Sequence, residues 1–254
     1  MNIKFTKELS PNALLSEKEV HLWVTKHEEI TNPKLLQYYH SLMNEKESIQ
    51  QQRYIRQKDQ HQYLVTRALI RTTLSLYAPI TPKDWIFSHN KYGRPKINMN
   101  DDYLNRIHFN ISHSKGFIVC IIGKNLDVGV DVESTQRVKN PVSIADRFFS
   151  PFEIQELYNL SVHKRRERFF QYWTLGEAYI KARGMGLAIP LDQFSFHLNE
   201  PNNITISFDQ KINDNPQLWQ FEQIYLSPQY LLAIALKHSK QQQLPIKMKY
   251  VIPS

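Results

Sequence analysis

Asp131 and Glu133 alternate with valines in the run Val128-Gly129-Val130-Asp131-Val132-Glu133. In a strand the valines take one face and the two carboxylates the other. Carboxylates on one face repel each other unless a cation sits between them. Downstream, Glu177 and Lys181 stand four residues apart in Trp173-Thr174-Leu175-Gly176-Glu177-Ala178-Tyr179-Ile180-Lys181. That spacing brings them together on one side of a helix. Three carboxylates and a lysine suit a divalent cation that holds a phosphate-bearing substrate. Singly, these residues have plainer readings. An isolated Asp-x-Glu is as often a solvated strand edge, and a Glu–Lys pair at this spacing is a common, weak surface ion pair.

The elements around these residues follow from periodicity and punctuation. Residues 13–29 and 33–48 read as two helices. Leu64, Ala68, Leu69, Thr72 and Leu76 recur at helical spacing, which predicts a helix over 59–77, ended by Pro79. Trp85-Ile86-Phe87 is short and β-prone, and Tyr92-Gly93-Arg94-Pro95 is turn chemistry. Strands are predicted over 107–111, 116–122 and 126–133, with Asp127 and Gly129 on the face of Asp131. Residues 141–149 read as helical. Ser150-Pro151-Phe152-Glu153 reads as an N-cap, an N1 proline and a capping-box glutamate. A long helix over 165–182 follows, broken by Gly184 and Gly186. Further strands are predicted over 193–198, 204–208, 219–226 and 230–236. The polar, glutamine-rich stretch 239–243 is expected to be loose. Helices then strands, twice over, predict an α+β fold of two halves, 1–126 and 127–254, joined near 126–133, with a loose tail from about 239.

The 254 residues are 41% hydrophobic and 12% aromatic, enough for a real core, and the net charge of +8 calls for an anionic partner. A nucleic acid would satisfy that charge, but no zinc-ligand spacing, basic low-complexity arm or RNA-recognition signature accompanies it. Cys120, the single cysteine, lies in the apolar run Phe117–Ile122 and reads as a buried, inert thiol. No secretory apolar region follows Met1, and no run approaches the roughly 20 apolar residues of a membrane span. A cytoplasmic location without membrane or nucleic acid partners is expected.

Five motifs then occur in order: Tyr92-Gly93-Arg94-Pro95, Phe109-Asn110-Ile111-Ser112-His113-Ser114, Gly129 to Glu133, Arg147-Phe148-Phe149-Ser150, and Trp173 to Lys181. Together they resemble the 4′-phosphopantetheinyl transferases, in the long, monomeric Sfp-type branch. The resemblance implies an enzyme that moves the phosphopantetheine arm of coenzyme A onto a serine of an acyl or peptidyl carrier protein, releasing adenosine 3′,5′-bisphosphate. It also implies two pseudo-twofold α+β halves with coenzyme A and Mg2+, or Mn2+, in the cleft between them. On that pattern Asp131, Glu133 and Glu177 hold the metal, and Asp131, Glu177 and Lys181 carry catalysis. Glu177 is the candidate base toward the serine, and Lys181 contacts a pyrophosphate oxygen. Lys91, Gly93, Arg94, Asn110, Ser112 and His113 complete the coenzyme A set. Among these, Arg94 is expected near the adenine and 3′-phosphate, Gly93 gives close backbone approach, and Ser112 and His113 meet the phosphates.

Two departures qualify the pattern. Gly176 stands where the family has lysine, which removes a cation and puts a glycine in mid-helix. Gln50 and Gln62 fall where relatives carry basic residues near the 3′-phosphate. A degenerate relative that binds coenzyme A or a carrier protein with little turnover is therefore the alternative to an active transferase.

Overall fold

The computed structural model describes residues 3–5, 15–199, 203–239 and 242–254. The chain runs β1 (Ile3–Phe5), β2 (Val20–Lys26), α1 (Pro33–Leu42), α2 (Glu45–Gln52), α3 (Gln57–Leu74), β3 (Phe87–His89), β4 (Pro95–Ile97), β5 (Ile107–Ser114), β6 (Phe117–Lys124) and β7 (Asp127–Ser134). It continues through α4 (Pro151–Asn159), α5 (Val162–Arg183), β8 (Phe194–Asn199), β9 (Asn203–Phe208), β10 (Trp219–Ser227), β11 (Tyr230–Lys237) and β12 (Ile246–Tyr250). One sheet has the order β1-β12-β2-β6-β5 and a second the order β10-β11-β7. Two hairpins, β3–β4 and β8–β9, stand apart from them.

Period-two alternation in the strands builds the layers. From β6, Ile118, Cys120 and Ile122 join Leu64, Ala68 and Leu69 of α3 in one core. Val119 and Ile121 point the other way and meet Val128, Val130 and Val132 of β7 and Leu232, Ile234 and Leu236 of β11. Ala233 and Ala235 of β11 turn from that core to Leu175, Ala178 and Ala182 of α5. The order of layers is therefore helices, sheet, sheet, helix, an α+β arrangement in which both sheets are covered on both faces. Cys120 is fully buried, and burial pushes its thiol up to about 12, so it is inert as expected.

Three expectations need correction. Residues 20–26 are not helical: Val20–Lys26 is β2, flanked by β12 and β6. Six of its seven residues are buried, and a strand covered on both faces reads as a continuous apolar run rather than an alternation. The helix over 33–48 is two helices. Asn44 breaks it by capping α2 in a reciprocal box with Glu47. The loose tail from about 239 is replaced, at 246–250, by β12, which lies between β1 and β2 in the first sheet. Ile246 and Met248 are buried there, so apolar burial holds a segment whose local composition is polar. Ser150 does cap α4 in a box with Glu153, as its sequence spacing predicts.

Candidate active site

The edge strands β5 and β7 of the two sheets meet without a main-chain ladder. Side chains of β5 replace it: Val130 N donates to Asn110 Oδ1 at 3.1 Å, Val132 N to Ser112 Oγ at 3.3 Å and Ser134 N to Ser114 Oγ at 3.2 Å. Each pair is separated by 20 residues, so the strands run parallel along this seam. The polar character of Asn110, Ser112 and Ser114 thus satisfies backbone donors of β7 that would otherwise be buried without partners.

Helix α5 lies over the seam because Gly129 lets it. A Cβ at Gly129 would fall 2.0 Å from the Ala178 carbonyl oxygen and 2.5 Å from the Ala182 nitrogen. No side chain larger than hydrogen fits, and an isolated glycine inside a strand is the sequence signature of such close approach. The consequence is chemical. Lys181 Nζ reaches Asp131 Oδ1 at 2.6 Å and Ser112 Oγ at 3.1 Å, and Ser112 donates to the same Asp131 oxygen at 2.9 Å. The ammonium goes to the strand carboxylate, not to Glu177 one turn back, so the plain i,i+4 surface pair is not what forms.

Asp131 is 4% exposed and Glu133 7%. Asp131 Oδ2 and Glu133 Oε2 are buried with no hydrogen-bond partner, while Glu133 Oε1 pairs with Arg137 at 2.9 Å. Burial, then the charge of Asp131, raises Glu133 to about 7; Arg137, Lys181 and the Trp173 indole pull the other way. The same two causes raise Glu177. Glu133 and Glu177 thus each feel the charge of Asp131 across β7 and α5. Among the described residues no three His, Cys, Asp or Glu side chains already stand as a metal-holding group. The two orphaned oxygens nevertheless fit a hard divalent cation that takes a few carboxylates and completes its shell with phosphate and water.

Ser112 and His113 leave β5 on opposite faces, so they do not converge as a pair. His113 is exposed at the end of β5, and partial desolvation and then the Lys181 charge lower its pKa. His27, near enough to feel the charge of His113, is buried, and burial lowers its pKa. Lys91 is exposed and its ammonium lies 4.8 Å from the Tyr92 ring centroid. Gly93 forms the tip of the turn between β3 and β4, with φ at +88°. Arg94 is already engaged: its guanidinium donates to the carbonyls of Ala182 at 2.7 Å and Val128 at 3.2 Å. Beside it is a cavity of about 210 Å³ lined by Asn90, Arg94, Pro95, Lys96, His108 and Asp127, among others.

Gly176 is buried in α5, and a Cβ there would first meet Leu191 at 3.4 Å and Phe194 at 3.8 Å. The missing side chain therefore points toward an apolar wall, not toward Asp131. Gln50 and Gln62 make no contact with the carboxylates described above. Sequence reasoning missed Arg137, which clamps Glu133, and Ser114, which extends the seam. Arg137 stands four residues after Glu133, a spacing that carries no meaning until β7 is known to end in a turn.

Comparison with known proteins gives a consistent result. The profile of the 4′-phosphopantetheinyl transferase superfamily matches residues 127–235, and that of the 4′-phosphopantetheinyl transferase N-terminal region matches residues 31–125. The chain is 30% identical over 186 residues to the 4′-phosphopantetheinyl transferase Sfp of Bacillus subtilis strain 168, covering 73% of this chain and 78% of that one. It is 34% identical over 154 residues to a second Bacillus subtilis 4′-phosphopantetheinyl transferase, covering 61% and 66%. It is 33% identical over 159 residues to the gsp transferase of Aneurinibacillus migulanus, covering 63% of each chain.

Proposed function

The chain belongs to the 4′-phosphopantetheinyl transferase superfamily, in its Sfp type, and from that premise we propose that it transfers the phosphopantetheine arm of coenzyme A to a carrier-protein serine. The observation that carries this reading is the knot of Asp131, Ser112 and Lys181 beneath α5, beside two buried carboxylate oxygens that no protein group satisfies. A site built so is short of positive charge and suits a substrate that arrives with a divalent cation. Asp131 and Glu133 would hold Mg2+, with Glu177 as the third carboxylate. Bound there, the cation supplies neutralisation of charge on the diphosphate.

The chain's own groups divide the remaining work. Lys181 leaves part of its pairing with Asp131 to donate to a pyrophosphate oxygen, where charge gathers as the phosphorus–oxygen bond to adenosine 3′,5′-bisphosphate breaks. Glu177, its proton affinity raised by burial and Asp131, takes the proton of the attacking serine hydroxyl, directly or through a water. His113, with its lowered pKa, becomes a cationic donor once a phosphate is beside it. The adenosine end would lie toward the cavity beside Arg94, Lys96 and Asp127, with Lys91 and Gly93 on the adjoining turn between β3 and β4. Asn110 and Ser112, which the family pattern assigns to coenzyme A, also serve this site by fixing β7.

The net charge of +8 suits an acidic carrier protein, and a chain with both halves in one polypeptide suits a monomer. We read 1–126 and 127–254 as the two pseudo-twofold halves, with β12 crossing back to the first. No described helix is long and apolar enough to cross a membrane, and a cytoplasmic location is proposed. The test is transfer of labelled phosphopantetheine from coenzyme A to a panel of apo acyl and peptidyl carrier proteins, with Mg2+ and with a chelator. Metal-dependent labelling of the carrier serine is the expected result. Coenzyme A binding by calorimetry without labelling of any carrier would replace this reading with the binding-only alternative.

A further inference from the structure

The turn between β3 and β4 reaches across to the last turn of α5. Asn90 Nδ2 donates to the Gly184 carbonyl at 2.7 Å, and Arg94 Nη1 donates to the Ala182 carbonyl at 2.7 Å. Arg94 Nη2 bonds the Val128 carbonyl of β7 at 3.2 Å, and Asp127 stands 4.0 Å from the same guanidinium. Asn90 also fixes the turn itself, its Oδ1 accepting from the nitrogens of Tyr92 and Arg94 at 2.9 Å. The α5 terminus is shaped to receive this turn. Gly184 ends the helix with φ at +64°, and a Cβ there would come within 2.8 Å of Arg94 Cδ. Ala182 follows Lys181, and Val128 precedes Gly129, the point where α5 touches β7. One planar fork thus ties together the two backbones whose spacing sets the contact between Lys181 and Asp131.

We propose that Arg94 is a positioning residue: with Asn90 it clasps the C-terminal turn of α5 to β7 and so holds Lys181 against Asp131, instead of serving as a phosphate ligand. A guanidinium suits this task because its donors form a rigid fork that meets two carbonyls at once, whereas an ammonium is a point charge on a flexible stem. The carbonyls also lie at a helix C-terminus, where a cation is favoured. The kinetic part of the proposal rests on the transferase reading; the clasp itself does not.

Arg94→Lys separates the two roles, since it keeps the charge and most of the aliphatic stem but loses the fork. A misplaced Lys181 should lower kcat by about tenfold to a hundredfold, with KM for coenzyme A within about twofold of wild type. Calorimetric binding of adenosine 3′,5′-bisphosphate should be unchanged. Amide hydrogen exchange over residues 180–184 should quicken about tenfold as the last turn loosens. Asn90→Ala, which removes one strand of the clasp, should move kcat and exchange in the same directions by less. A rise in KM with kcat kept, or lost binding of the bisphosphate, would make Arg94 a ligand and overturn the proposal. Faster exchange with kcat unchanged would leave a staple that positions nothing, and unchanged exchange would leave no clasp; either result also overturns it. If the wild type labels no carrier protein, the transferase reading fails, and exchange and calorimetry still decide whether Arg94 clasps or binds phosphate.

Discussion

Two buried clusters of charge, one in each half of the chain, look alike in a list of ion pairs and differ in what they leave over. In the first half Glu47 lies between Arg67 and Arg71. One of its oxygens takes Arg67. The other takes Arg71 at 2.8 Å and the Asn44 nitrogen at 3.1 Å. Arg71 spends its remaining Nη1 donors on the carbonyls of Pro82, Lys83 and Trp85. Two cations share one carboxylate, and both carboxylate oxygens are used. In the second half Lys181 pairs with Asp131, Arg137 meets Glu133 at the exposed rim, and two carboxylate oxygens are left buried and unpartnered. The first cluster leaves over donors instead, Arg67 Nε and Arg71 Nε, both buried and unpartnered, while its one carboxylate is fully used and holds α2 and α3 together. The second holds an excess of negative charge that the fold alone does not resolve, which suits the cation proposed for it.

The contrast breaks most visibly at Glu47. Glu47→Ala leaves two buried guanidiniums without their anion and should lower the unfolding free energy by about 3–5 kcal/mol in urea titration. Asp131→Asn should do the opposite kind of damage. It removes a partner of Lys181 but relieves Glu133 and Glu177 of its charge, so stability should fall by less than at Glu47. Transfer to carrier protein should fall about 10²–10³-fold. Loss of stability without loss of turnover would reverse the assignment of the two clusters.

Proton linkage sharpens the same comparison. Glu133, raised from 4.5 to about 7 mainly by burial, holds a proton in the folded chain that the unfolded chain releases. Stability of the ligand-free protein should therefore fall as pH rises from about 4.5 to about 7, and Glu153, also raised to about 7 by burial, adds to the same slope. Added Mg2+ should offset the loss at pH 8 and do nothing at pH 5. At a hundredfold excess over Kd the gain is about 2.7 kcal/mol, or roughly 5–10 °C in Tm. A Tm indifferent to Mg2+ at pH 8 would sink the metal reading.

The smallest effect concerns Gly176. Its Cβ would make ordinary contact with Leu191 and Phe194, so Gly176→Ala should stabilise α5 by about 1 kcal/mol in denaturant unfolding. Turnover should change less than twofold, because that face of the helix looks away from Asp131. A large loss of transfer would mean that open space beside Gly176 is itself used by a substrate.

Some of this was legible in the residues and some was not, for identifiable reasons. Alternation in β7 put Asp131 and Glu133 on one face, and the spacing of Glu177 and Lys181 put them on one side of α5, because side-chain direction in strands and helices is a local property. The capping box at Ser150 was legible on the same ground. β2 was not, since a strand buried on both faces loses its alternation, and β12 was not, since its place depends on partners more than 200 residues away in sequence.

The sequence by itself determined the chemistry available: a carboxylate pair on a strand, a Glu–Lys pair on a helix, a basic surface and a family pattern across both. Tertiary structure decided which of these groups meet. Lys181 turned from Glu177 to Asp131, Ser112 became a bridge between sheets, and Arg94 bonded the backbone carbonyls of Ala182 and Val128. The physical reason is that partner choice in a buried polar cluster depends on distances of a few tenths of an ångström. Those distances were set here by a glycine that admits a helix and by a seam of side chains that replaces a sheet ladder.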